Sequence, residues 1–326
     1  MDKPPLKRRD PRVLTARAVV FEQPEALALR DIPLDQPDSG DVVVDAEWTG
    51  ISTGTEKLLW SGHMPPFPGM GYPLVPGYET VGRVVACGKG DAFSVGDRVF
   101  VSGARCFGEI RGLFGGAASR LGVNPEKLVP VGDQLQSEGI LLALAATAYH
   151  ALQHGERRAL PDLIVGHGVL GRLLARISVA LGQRNLVVWE TEPRRRGGAL
   201  GYSVATPADD DRHNYRRILD ASGDHDIIDS LVQRLAKNGE IVLAGFYAKR
   251  LGFTFPPAFM REASIRIVAE WTPNDLIAVK HLIDLGTLRL DGLISHEMSA
   301  DKAASAYPTA FSDPDCLKMV LDWRSA

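Results

Sequence analysis

At 326 residues the chain exceeds a typical single domain of roughly 100 to 200 residues, so two domains sharing a cleft are expected. Apolar residues at 45% and charged residues at 24% suit a folded protein with a large core and exclude a disordered chain. A formal net charge of -3 excludes the concentrated basic surface that nucleic acid requires and leaves small-molecule chemistry.

Residues 1–13 carry Lys7, Arg8 and Arg9 but no apolar run, so they read as a flexible, solvated tail and not as a signal peptide. Peripheral contact with an anionic membrane is the alternative. Residues 14–131 follow as short β-rich runs broken by Gly and Pro, among them AVVF, DVVVDAEW, GRVVACG and GDRVFV, and predict a small all-β domain. Inside it, Gly62 to Gly77 is too rich in Pro and Gly for a helix or a central strand. This loop carries Phe67, Met70, Tyr72 and Leu74, which either pack on their own domain or form an apolar lip over a large substrate.

From residue 132 to 271 the period changes. ILLALAATAYHAL reads as a buried helix, DLIVG as a strand, and Leu170, Leu173, Leu174, Ile177 and Leu181 as one apolar stripe at helical spacing. LVVWE, YSVA, RILDAS, EIVLAGF and SIRIVAEW continue the strands, with a helix around Ile227, Ile228, Leu231 and Leu235. Strands alternating with helices imply an α/β, doubly wound parallel sheet. In the last segment, 272–326, Thr272 is an N-cap ahead of Pro273, and the pattern reads helix, short strand, helix to the end. Cys87, Cys106 and Cys316 are far apart and odd in number, which points away from disulfides and toward a reducing compartment, the cytoplasm.

The segment LIVGHGVLGRLLA sets Gly166, Gly168 and Gly171 in GxGxxG spacing between a strand and an amphipathic helix, the Rossmann arrangement for a dinucleotide. The first glycine permits the turn, the second lets backbone approach the pyrophosphate, and the third lets helix and strand pack closely. The helix N-terminus then faces the phosphates with free amides. Glu190, nineteen residues after Gly171, is placed to accept hydrogen bonds from the adenosine ribose, which favours NAD. Arg194, Arg195 and Arg196 either offset that preference toward NADP or form a solvated face, and His167 reads as spacing filler.

A β-rich, GroES-like domain ahead of a Rossmann domain, with a C-terminal segment returning to the first, resembles the medium-chain dehydrogenase/reductase superfamily. The blocks that carry the resemblance are GISTGTEKLLWSG, VPGYETVGRV, VGDRV and LAATAYHAL. In the superfamily's zinc alcohol dehydrogenases, metal ligands occupy the positions that here resemble Ser52, Tyr78 and Ala143, which implies a zinc-free enzyme. Three cysteines also cannot supply a four-cysteine structural site. The runs MPPFPGMGYPLVPGYE, GARCFGE, RGLFGGAASR and PPAFMREASIR are similar, more narrowly, to dehydrogenases of bacteriochlorophyll synthesis. That similarity implies a bacteriochlorophyllide-type macrocycle as substrate, with a hydroxyethyl group oxidised to acetyl.

The resemblance further implies site roles. Without a metal, side chains must take the alcohol proton, and Tyr78 with Ser52 stands at the former ligand positions. Thr55 and Glu56 follow on the same loop. Glu79 either orients this network or is a buried acid bonded to backbone. Thr147 contacts nicotinamide or bonds its own helix, and His150 is a relay or a satisfied structural histidine. Phe67, Met70 and Tyr72 form the wall for the macrocycle. Two other classes stay open: a zinc-free NAD(P)H-dependent reductase of enones or quinones, and a non-catalytic NAD-binding protein.

Overall fold

The computed structural model describes residues 14–88, 92–153 and 159–325; the tail expected at 1–13, with Lys7, Arg8 and Arg9, lies outside them. The first part of the chain runs β1 (Thr15–Gln23), β2 (Ala26–Pro33), β3 (Val42–Ile51), α1 (Thr55–Ser61), β4 (Leu74–Val75) and β5 (Thr80–Ala86). It continues with β6 (Arg98–Val101), β7 (Arg111–Gly112), β8 (Arg120–Val123) and β9 (Leu128–Pro130). Strands β2-β1-β4-β7 form one small sheet. In the other, β3 lies antiparallel to both β5 and β8. Most of β3, VVVDAEWTGI, is buried, and the charged Asp45 and Glu47 interrupt its apolar run at the two positions that are partly exposed.

The second part holds α2 (Leu142–Gln153), β10 (Leu163–Val165), α3 (Val169–Ala180), β11 (Val187–Trp189), β12 (Ser203–Ala205) and β13 (Tyr215–Asp220). After these come α4 (Ile228–Arg234), β14 (Leu235–Leu243), α5 (Phe255–Arg261) and β15 (Ser264–Ile267). The six strands are parallel in the order β12-β11-β10-β13-β14-β15, the doubly wound arrangement, which opens a crevice where the order reverses between β10 and β13. One apolar cluster covers one side of this sheet with α2 and α3, and a second cluster, with Trp189, Tyr215 and Ile228, covers the other. Helix α2 is alanine-rich and buried almost all round, so it sits in the core and not on the surface. Among the described residues no helix is long and apolar enough to cross a membrane.

The last part comprises α6 (Pro273–Asp284), β16 (His296–Ser299), α7 (Ala303–Ser312) and β17 (Met319–Asp322). Thr272 caps α6 as expected: its amide and hydroxyl both donate to the Asp275 carboxylate at 2.7 Å, and Pro273 takes the first helical position. The expectation of a helix running to the end is corrected. Helix α7 stops at Ser312, ahead of Asp313 and Pro314, and the chain then forms β17, antiparallel to β3 from Met319 opposite Ile51 to Asp322 opposite Trp48. Met319, Val320 and Leu321 are all fully buried, and a short run buried on both faces has no period by which to tell strand from helix. The cluster that backs α2 also takes in Trp48, Val81, Phe100 and Val320, so the two large sheets share one core.

Candidate active site

The ladder between β3 and β5 fixes where the first site residues meet. Thr49 lies opposite Thr80, and the Gly50 amide donates to the Glu79 carbonyl at 2.8 Å, so the chain leaving β3 at Ser52 runs beside Tyr78. The Tyr78 phenol donates to Ser52 Oγ at 2.8 Å, and Thr55 Oγ1 stands 3.4 Å from both oxygens. Three of the residues singled out in the sequence thus form one cluster of hydroxyls. Burial, and next the charge of Glu79, push the Tyr78 phenol well above its ordinary range, against the hydrogen bonds to Ser52 and Thr55. Tyr78 is therefore a neutral donor at physiological pH. Its ring meets Phe114 edge-on at 5.2 Å between centroids and Trp271 at 6.4 Å. Sequence reasoning missed both aromatics, although each lies in or beside a run already noted, RGLFGGAASR and SIRIVAEW.

Beneath the hydroxyls lie two wholly buried carboxyls, Glu56 and Glu79. Glu79 is ion-paired with Lys318, itself only 1% exposed, just ahead of β17. Gly50 makes room for this pair, because a Cβ there would collide with the Glu79 carboxylate and press on the Lys318 chain. Glu56 accepts the Ser52 amide on Oε1 at 3.0 Å and the Tyr307 phenol on Oε2 at 3.1 Å. Burial, reinforced by Glu79, pushes the Glu56 carboxyl up to about 8, against the opposing effects of the Ser52 amide, Lys318 and Tyr307. Lys318 and Tyr307 come from the returning C-terminal segment, and no spacing in the sequence connects them to residues 52–79.

At the dinucleotide segment, β10 ends on Val165 and Gly166 turns with φ +92°, a conformation that favours glycine. A Cβ at Gly171 would collide with the Gly166 carbonyl, so the first turn of α3 packs directly on the glycine turn. At Gly168 no atom beyond the adjoining residues lies within 4 Å of where a Cβ would be, which leaves the open approach that a pyrophosphate needs. Glu190 sits at the same mouth, accepting the His167 amide at 3.0 Å and the Glu192 amide at 2.8 Å, with lone pairs left for ribose hydroxyls. These residues fit a bound dinucleotide.

His167 is corrected from filler to structural pin. It is fully buried, with Nδ1 2.7 Å from the Arg195 carbonyl and Nε2 2.8 Å from the Tyr202 hydroxyl. A carbonyl only accepts, so Nδ1 carries the hydrogen and Nε2 accepts from Tyr202. Burial, with Arg172 next, pushes the imidazole down to about 4 and keeps it neutral. The arginine run is mostly occupied: Arg195 donates to the Pro314 carbonyl, Arg196 to the carbonyls of Glu190 and Thr191, and Arg194 pairs with Glu192 and Asp315.

Other candidates lie elsewhere in the network. Thr147 donates to the Ala143 carbonyl within its own helix at 3.1 Å, and His150 faces Asp275 at 2.8 Å across α6. Ala143 is buried in the core that Tyr78 borders. Of the loop residues, Phe67 is 37% exposed, whereas Met70 and Tyr72 are half-buried against the β-domain core, with the Tyr72 phenol donating to the Leu59 carbonyl.

Set against known proteins, residues 38–133 match the alcohol dehydrogenase GroES-like domain. A 2-desacetyl-2-hydroxyethyl bacteriochlorophyllide A dehydrogenase of Cereibacter sphaeroides is 58% identical over 313 residues, covering 94% of this chain and 98% of the relative. Its counterpart of that name in Rhodobacter capsulatus is 55% identical over 314 residues, covering 96% and 100%. Among solved structures, L-idonate 5-dehydrogenase from Escherichia coli superposes with a TM-score of 0.83 at 17% identity over 95% of this chain and 99% of that one, a likeness of fold. Both relatives match this chain at 58% and 55% identity over 94% and 96% of its length, and on that ground the chain belongs to the bacteriochlorophyllide A dehydrogenase family of medium-chain alcohol dehydrogenases.

Proposed function

We propose that the protein oxidises the hydroxyethyl group of a bacteriochlorophyllide a to acetyl with NAD, a step in bacteriochlorophyll synthesis. The observation that carries this reading is the hydroxyl cluster of Ser52, Thr55 and Tyr78 in a chain whose relatives are named for dehydrogenating that pigment. Bound NAD, held by Gly166, Gly168, Gly171 and Glu190, supplies the hydride acceptor. The protein handles the proton. Tyr78 takes the alcohol proton as its own passes to Ser52 Oγ and the Ser52 hydrogen passes on to water, so that the released proton leaves the site and neither hydroxyl stands as a free ion. Thr55 holds the two oxygens in register.

The donor set supports chemistry without zinc, because two aliphatic hydroxyls and a phenol, with Ala143 at the third position, lack the thiolate, imidazole and carboxylate groups that zinc prefers. Activity is expected to survive chelation; stoichiometric zinc whose removal abolishes turnover would contradict this. For the macrocycle, Phe67, Met70 and Tyr72 supply an apolar loop, and Phe114 and Trp271 border the reacting phenol. A substrate panel tests the assignment: NAD-dependent oxidation of the hydroxyethyl pigment is expected, with a product lighter by two hydrogens. Reduction of enones or quinones with an inert pigment would overturn it.

A further inference from the structure

Glu56 is a buried acid for which the proton path above has no use. It lies on the first turn of α1, four residues beyond Ser52, where a solvated helix start would leave it in water. Here it is fully buried and both its oxygens are engaged. Oε1 holds the main-chain amide of Ser52, the residue whose hydroxyl receives the Tyr78 hydrogen. Oε2 holds Tyr307, which comes from α7 and whose ring packs edge-on against Phe21 at 5.2 Å and Phe311 at 5.8 Å. The charged and titratable groups around it are Glu79 with its partner Lys318, and the phenols of Tyr307 and Tyr78.

We propose that Glu56 is a positioning residue for hydrogen transfer: it clamps the Ser52 turn to the C-terminal helix through Tyr307 and so holds Ser52 Oγ where Tyr78 can reach it. The role rests on the functional reading above and needs hydrogen bonds, not a negative charge. A neutral carboxyl suffices, because its carbonyl oxygen accepts the Ser52 amide while the other oxygen shares a hydrogen with the Tyr307 phenol. An amide can do the same; an alkyl group cannot. The clamp therefore predicts that conservative and apolar replacements part company.

The test compares Glu56→Gln, Glu56→Leu and Tyr307→Phe in the full-length protein, by pigment oxidation and by hydrogen–deuterium exchange of the peptide spanning Ser52. Glu56→Leu is expected to lower kcat about tenfold, the effect of one lost buried hydrogen bond, with the KM for pigment and the affinity for NAD little changed. The Ser52 amide should exchange faster in the same variant. Glu56→Gln should recover most of both losses, and Tyr307→Phe, which removes one hydroxyl and no ring, should fall between. Equal kcat and equal exchange in Glu56→Leu and the unmodified protein would overturn the proposal. So would a Glu56→Gln as impaired as Glu56→Leu, since that would make the ionised carboxylate the active form. Exchange needs no substrate, so an inert pigment would overturn the functional reading while leaving the clamp open to refutation by exchange alone.

Discussion

Glu56 and His167 pull the pH dependence of stability in opposite directions. The folded chain keeps Glu56 protonated up to about 8 whereas an unfolded glutamate ionises near 4.5, so folding takes up a proton between those values and stability from this group falls as pH rises through them. His167 titrates near 4 when folded against 6.5 ordinarily, so its contribution is complete above 6.5 and is lost as pH falls toward 4. Glu56→Gln should therefore gain in melting temperature relative to the unmodified protein as pH rises from 5 to 8. A constant difference across that range would show that Glu56 ionises normally. At the cofactor end, Glu190→Ala is expected to narrow a preference for NAD over NADP, because it removes the charge that repels a 2′-phosphate. Competitive binding of the two cofactors reads this out, and tighter binding of NADP by the unmodified protein would show that the neighbouring arginines dominate.

Strand β17 is anchored at its start by a buried ion pair. Lys318 enters the core just before that strand to pair with Glu79 at the start of β5, and β17 then zips onto β3. Lys318→Met should destabilise the protein by about 3–5 kcal/mol, because it strands a buried carboxyl, and Glu79→Gln in the same chain should restore most of the loss. Denaturant unfolding of the single and double variants measures this; additive losses would mean that the pair is not coupled. The same strand marks the limit of what the sequence discloses. The glycine spacing, the alternation from β10 to β15 and the cap at Thr272 were legible because each carries a period or a local backbone requirement. Ser52, Thr55 and Tyr78 were legible only as positions within the superfamily's blocks. Glu56 was noted only as following Thr55 on the same loop and given no role, because its burial and its bond to Tyr307 depend on the distant α7. Lys318, Tyr307, Phe114 and Trp271 were missed because long-range pairing alone gives them a place.

For the molecule as a whole, the β-rich sheet supplies the hydroxyls, the parallel sheet supplies the glycine turn, and the returning C-terminal segment locks the buried acids from behind. The shared core of Trp48, Val81, Phe100 and α2 sets these parts in fixed relation. A wide, apolar, flat substrate suits a site bordered by aromatic rings better than does a small aqueous alcohol. Oxidation converts the hydroxyethyl group into a carbonyl conjugated with the macrocycle, which moves the lowest-energy absorption to the red. The most direct measurement is the absorbance spectrum of the hydroxyethyl pigment incubated with purified protein and NAD. The account predicts a red shift of the pigment band that grows in step with NADH, mole for mole. An unchanged pigment spectrum, alongside brisk turnover of ethanol-sized alcohols by the same preparation, would contradict it.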